Sequence, residues 1–159
     1  MSDTPEGSTG LQVLSISPGD GEAKDLIAAL DAEIRSLYPG QPVNGIDVAE
    51  FEHSGGYFVL ARRQGAAVGC GAFRPVGHGC AEIKRMFVRG QARRCGIARR
   101  ILQHLEAEIR RQGFRSIVLE TGCQNSAART LYESAGYFPI PPFLGYVGSP
   151  ISCCYAKQV

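Results

Sequence analysis

The spacing of apolar positions changes period repeatedly along the chain, and each change marks an element. Leu11 to Ile16 alternates apolar and polar residues, as a strand with one buried face does. The period then lengthens: Leu26, Ile27, Leu30, Ile34 and Leu37 recur at helical spacing, with Asp20 placed as the N-cap and Pro39-Gly40 as the stop. Residues 41–56 read as a connector with a short helix near 47–52. A hairpin follows: strand 57–62, the turn Gln64-Gly65, and strand 67–73, in which Gly69 and Gly71 suggest a bulge. Residues 75–79 read as a turn and 81–88 as a strong strand.

Beyond it lies a basic loop, Arg89 to Cys95, and then a second helical stripe. Ile97, Ile101, Leu102, Leu105 and Ile109 lie on one side of a helix over 96–112 that Gly113 ends. Residues 114–121 form the next strand, and Asn125 opens a helix that runs through Ser134 to Gly136. The last part is an extended stretch, 137–143, a glycine-rich loop, and a strand, 151–157. The order β-α-(α)-β-β-β-α-β-α-β-β predicts a mixed α/β sheet. Within it, strand 81–88, helix 96–112 and strand 115–121 make a crossover, so those two strands should be parallel.

At 159 residues the chain suits one domain, expected over 11–159 behind a flexible polar tail, 1–10. A composition of 44% hydrophobic and 20% charged residues excludes a disordered chain. The formal net charge of +2 gives no nucleic-acid footprint, and no aromatics interleave with the arginine cluster. No apolar run is long enough to cross a membrane, and the first ten residues lack a signal-peptide core. The six cysteines form no Cys-x-x-Cys pair, and no histidine joins them at zinc-ligand spacing, so no metal is expected. They read as reduced thiols of a cytoplasmic protein, with a pairing between distant cysteines left open.

The informative chemistry lies between Met86 and Ala98. A strand ends at Met86-Phe87-Val88, a basic loop follows, and a helix begins near Gly96-Ile97-Ala98. The first amides of a helix lack intrahelical acceptors, and the helix dipole adds positive potential, so this is an anion site suited to phosphate. A solvated basic helix start is the plainer alternative. Neither G-x-x-x-x-G-K-[ST] nor G-x-G-x-x-G is present. Instead Arg93-Arg94-Cys95-Gly96-Ile97-Ala98 resembles the pyrophosphate loop, [RQ]-x-x-G-x-[GA], of the GNAT acetyltransferases. Downstream, Asn125 through Tyr137 resembles that family's N-x-x-A-x-x-x-Y-x-x-x-G-[FY] segment. One position departs: many members carry Gly where this chain has Arg94, and a positive φ there would strain an arginine.

The resemblance implies a GNAT acyl-CoA N-acyltransferase fold, a central mixed sheet with splayed parallel strands flanked by helices. It also implies acetyl-CoA as the acyl donor. The backbone of Met86, Phe87 and Val88 would meet the pantetheine arm, and the amides of Arg94, Cys95, Gly96, Ile97 and Ala98 the pyrophosphate. Arg93 and Arg99 are candidates for phosphate oxygens. Tyr132 stands where the family places its general acid, with packing on the helix face as its plain alternative. Glu82 aligns with the catalytic glutamate of the histone-acetylating branch, but Lys84 shares its strand face and would weaken it as a base. Lys84 or Arg85 is also a candidate for an acceptor carboxylate. Asn125 is a candidate for orienting water or pantetheine, and equally a simple N-cap. Glu120, Tyr38 and the aromatic stretch 138–146 are candidates for the cleft wall.

A small-molecule amine is the expected acceptor, neutral or anionic because no acidic run is visible. A protein lysine or N-terminal amine, and a non-catalytic acyl-CoA-binding module, are the alternatives. Dimers are frequent in the family, which leaves a homodimer open.

Overall fold

The computed structural model describes residues 10–43 and 45–159. The tail expected over 1–10 thus lies outside the described residues except for Gly10. Seven strands form one sheet: β1 (Leu11–Ser15), β2 (Tyr57–Arg63), β3 (Ala66–Gly77), β4 (Cys80–Val88), β5 (Ser116–Gly122), β6 (Phe138–Ile140) and β7 (Ser152–Gln158). Their order is β1-β2-β3-β4-β5-β7-β6. Each neighbouring pair is antiparallel except β4 and β5, which are parallel as the crossover requires. The mixed α/β architecture expected from the element order is therefore present.

Helices α1 (Gly21–Leu37), α2 (Val48–His53), α3 (Ile97–Arg111) and α4 (Ser126–Ser134) cover the sheet. Three start on side-chain caps: Asp20, Asp47 and Asn125 each accept a backbone N–H from the first turn. Helix α3 starts on Gly96, which has no side chain to offer. Its stripe, Ile97, Ile101, Leu102, Leu105 and Ile109, packs on Val59, Ala61, Phe73, Ile83, Ile117 and Leu119. On the opposite face, Ala23, Leu26 and Leu30 of α1 meet Phe58, Leu60, Cys70, Ala72 and Phe87.

Some boundaries move. Residues 75–77, read as turn, belong to β3, whose turn shrinks to His78-Gly79, both at positive φ. Pro75 still faces Ala81 across the ladder, and a register shift follows it, so the strand accommodates the missing N–H at an irregularity. β5 starts at Ser116, because the Phe114 amide closes the end of α3 on the Ile109 carbonyl. The irregularity expected near Gly69 and Gly71 is present as register shifts on both sides of β3. A Cβ at Gly71 would lie 2.7 Å from Ile101 Cγ2, so the bare strand is what lets α3 sit so close.

The reading of all six cysteines as free thiols is corrected for two. The turn after β5 brings Cys123 beside β7, where it is disulfide-bonded to Cys153 with Cα atoms 5.2 Å apart. Cys70, Cys80, Cys95 and Cys154 are free.

Candidate active site

The site begins where two parallel strands part. β4 and β5 pair from Cys80 and Ser116 up to Ile83 and Leu119, and no further. β5 continues on β7, while β4 turns away through Lys84, Arg85 and Met86. The turn is a bulge: across from Gly71, β4 has two residues, and one of them, Arg85, has φ 59°. Left-handed backbone at a non-glycine residue costs about 1–3 kcal/mol and persists only where the surroundings hold it. Here the Arg85 guanidinium is buried against Asp31 of α1 at 2.7 Å.

The gap opens into a cleft of about 560 Å³. Its walls are the end of α1 with the following loop, the free edge of β4, the end of β5, the start of α4, and the loop before β7. Tyr132 reaches it from the α4 side, while Lys84 and Glu120 reach it from the opposite face of the sheet. The cleft therefore passes through the sheet at the splay.

Tyr132 is 5% exposed and packs edge-on against Tyr137, with ring centroids 5.7 Å apart. Its hydroxyl has no hydrogen-bond partner among the described residues, although the ring lines the cleft. Burial, and after it the charge of Glu120, raises its phenol far above the ordinary range. The hydroxyl is thus a neutral donor aimed at the gap.

Glu82 is sealed. Its side chain is 1% exposed, with one oxygen accepting from Arg74 Nε at 2.9 Å and the other from the Tyr146 hydroxyl at 2.9 Å. Lys84 is its neighbour on the face, as the strand period requires, with Nζ 4.0 Å from Oε2. Lys84 Nζ also lies 3.5 Å from the Tyr146 hydroxyl. Burial lowers Lys84, partly offset by Glu82. Tyr146 is raised, first by burial and then by Glu82. Glu120 is raised by burial, with Ser152 and Lys84 pulling the other way.

The loop before α3 is open. The amides of Arg94, Cys95, Gly96, Ile97 and Ala98 have no acceptor among the described residues. Arg94 has φ 64° and Gly96 φ 75°, so the strain foreseen for an arginine at this position is real. Alternating backbone of this kind makes a concave nest of N–H groups. Arg93 does not point outward. Its Nε donates to the Val88 carbonyl at 2.8 Å, and its Nη2 donates to Glu33 at 2.7 Å. Its guanidinium also stands over the Phe87 ring, 5.7 Å from the centroid. Arg93 thus ties the loop to β4 and α1. Arg99 likewise donates to Ser134 of α4 at 2.7 Å. Cys95 is exposed, with its thiol turned to the Arg93 carbonyl at 3.6 Å.

Phe87 and Val88 are buried strand residues, whereas Met86 lines the cleft. Asn125 also lines it, and its Oδ1 accepts from the Ala128 amide at 3.1 Å, so its capping role is met. The structure brings Glu82, Met86, Asn125 and Tyr132 around the splay and places Arg93 to Ala98 at the head of α3. Two members of this network carried weak sequence signals. Tyr146 lies in the loop before β7, and no local pattern aims it at Glu82. Arg85 lies in a run that reads as plain strand.

Comparison with known proteins agrees with this geometry. The profile of the Acetyltransferase (GNAT) family matches residues 26–137. An IAA acetyltransferase of Azospirillum brasilense is 36% identical over 144 residues, covering 90% of this chain and 94% of its own. An uncharacterised N-acetyltransferase of Bacillus subtilis is 37% identical over 93 residues, 57% of this chain and 62% of its own. A structure from Klebsiella pneumoniae, assigned as an acyl-CoA N-acyltransferase, superposes with a TM-score of 0.81 at 32% identity, covering 95% of this chain and 99% of that one. A GNAT acetyltransferase from Elizabethkingia anophelis, solved with acetyl-CoA bound, shares the fold at 16% identity, with a TM-score of 0.71 over 94% of this chain and 99% of that one. The chain belongs to the GNAT acetyltransferase family and is an acetyl-CoA-dependent acetyltransferase.

Proposed function

We propose that this chain moves the acetyl group of acetyl-CoA to the primary amine of a small molecule by direct attack within the cleft. The observation that carries this reading is the row of five acceptorless amides, Arg94 to Ala98, at the head of α3. Had the protein's own side chains capped them, no diphosphate would be held there. With that nest as anchor, the pantetheine arm runs along the free edge of β4 at Met86, Phe87 and Val88. The thioester then arrives at the splay, beside Tyr132.

The two candidate catalytic groups have different tasks. A thiol like that of cysteine has a pKa of about 8.5, far below that of the buried Tyr132 phenol. Full proton transfer from Tyr132 to the departing sulfur is therefore uphill. Tyr132 instead stabilises the developing thiolate by donating a hydrogen bond. Glu82 does not meet the amine directly, because its side chain is 1% exposed behind Arg74 and Tyr146. It acts through Tyr146: the amine gives its proton to the Tyr146 oxygen as that hydroxyl passes its own to Glu82. Small size of the acceptor is supported by the modest volume of the cleft, about 560 Å³, and by the burial of Glu82 behind it.

Tyr132→Phe tests the reading. Losing one preorganised donor should lower kcat about 10²-fold, with the KM for acetyl-CoA unchanged. Unchanged turnover would remove Tyr132 from the chemistry. Acetyl-CoA at about 100 times its Kd should stabilise the protein by about 2.7 kcal/mol, seen as a raised Tm that ATP does not reproduce. No shift would remove the coenzyme site.

A further inference from the structure

The cleft wall carries two opposite charges that are both incompletely partnered. Ile83 and Leu119 are the last facing pair of β4 and β5, and both point to the α3 side. Lys84 and Glu120, the next residue on each strand, therefore project together to the other side, into the cleft. The other nearby charges are satisfied: Arg85 by Asp31 at 2.7 Å, and Arg74 by Glu82 at 2.9 Å. Lys84 is not. Its nearest carboxylate oxygen is Glu82 Oε2 at 4.0 Å, and that oxygen already accepts from Tyr146. Glu120 forms no ion pair among the described residues, and in particular none with Lys84. Burial works against the charged form of each. Two sheltered charges, adjacent yet unjoined, are costly unless a ligand completes them.

We infer that the acceptor is a free amino acid with an apolar side chain, its carboxylate held by Lys84 and its ammonium by Glu120. This deepens the proposed amine acetylation and rests on it: the amine of an α-amino acid stands one carbon from its carboxylate, so with that carboxylate on Lys84, whose Nζ is 3.5 Å from the Tyr146 hydroxyl, the amine stays near the oxygen that takes its proton. The orientation follows from the site. Glu120 and Tyr132 line the same cleft, and the charge of Glu120 helps raise the Tyr132 phenol, so an ammonium held at Glu120 faces the part of the cleft assigned to the thioester. The reverse orientation would bring the unreactive carboxylate to the acetyl group. The outer wall then meets the side chain. Leu37 is 48% exposed and Val147 70% exposed, with Pro42 and Val43 between the end of α1 and α2. A polyamine would set a second cation against Lys84, and a protein lysine brings no carboxylate near its amine.

The test pairs L-leucine with L-leucinamide, which keeps the amine and loses the anionic charge. Thiol release is followed with the purified full chain and saturating acetyl-CoA. Leucine should exceed leucinamide in kcat/KM by about 10- to 100-fold, the range for one charge-assisted hydrogen bond. Lys84→Met should collapse the leucine-to-leucinamide ratio of kcat/KM to within about threefold of one, whatever it does to the absolute rates. Lys84→Arg should keep most of the preference. An equal loss for both acceptors in Lys84→Met would make Lys84 merely structural and overturn the inference. So would putrescine or a lysine peptide reacting faster than leucine. Bound acetyl-CoA, seen as a Tm shift, with no amino acid acetylated would also overturn it while sparing the coenzyme site. Absence of the Tm shift itself would instead strike the reading beneath.

Discussion

The two faces of the central sheet are built from the same strands and do opposite work. The α3 face is closed by one long helix, and its residues, Ile83, Ile117 and Leu119 among them, are buried and apolar. The other face is closed by α1 only as far as β3 and β4. Around the end of the β4–β5 pairing it carries Glu82, sealed by Tyr146, and past Ile83 and Leu119 it presents Lys84 and Glu120. A strand that alternates Ala81, Glu82, Ile83 and Lys84 thus serves a core with one set of side chains and the candidate site with the other. The lesson is that stability and chemistry are separated by the two-residue period of β4 and not by distance along the chain.

Four substitutions would break or sharpen that contrast. The largest effect should come from the closed face. Leu105 is fully buried, so Leu105→Ala should cost about 2–5 kcal/mol in denaturant unfolding, with turnover per folded molecule unchanged. A loss of turnover at full stability would erase the distinction between faces. Tyr146→Phe probes the open face: kcat should fall about 10²-fold, with stability lowered by about 1–3 kcal/mol because the buried Glu82 loses a donor. Unaltered kcat would disconnect Glu82 from the amine.

Arg93→Ala should loosen the nest without touching the reacting atoms. The KM for acetyl-CoA should rise about tenfold, a change of about 1.4 kcal/mol, with kcat within twofold. A change in kcat alone would contradict the anchoring role. The smallest effect belongs to the solvent side of α3. The Arg111 hydrogen bond, helped by Gln112, lowers Glu108 from 4.5 to about 2. A lowered carboxylate contributes stability above its unfolded pKa and loses it as pH falls through the folded one. The pair's contribution is therefore present above about pH 4.5 and lost toward about pH 2. Because Arg111 is 71% exposed, Glu108→Gln should flatten that slope by less than about 0.5 kcal/mol.

Elements with a strong period were legible in the sequence. The stripe of α3, the caps at Asp20 and Asn125, and the parallel crossover all follow from local spacing, and each is present. The two loop motifs located the nest and Tyr132 for the same reason, since each motif is contiguous. What was not legible depends on contacts between distant segments. Nothing local in Lys84-Arg85-Met86 announces a left-handed residue, because the bulge is held by Asp31 from α1. The sealing of Glu82 is equally remote, for its partners come from β3 and from the loop before β7. The partners of Arg93 were equally illegible, because sequence shows its charge but not Glu33 on α1. The joining of Cys123 to Cys153 follows from the β5–β7 register, which no cysteine spacing encodes.

Tyr38, at the end of α1, rests its hydroxyl on the bare Cα of Gly122 and accepts the Gln124 amide at 3.3 Å. Any methyl group at residue 122 would coincide with that phenol. That wall of the cleft is thereby bolted to the corner from which α4 departs. Sites 38 and 122 should accordingly change in concert among descendants of this gene, a bulkier residue at one tolerated only with a shorter residue at the other.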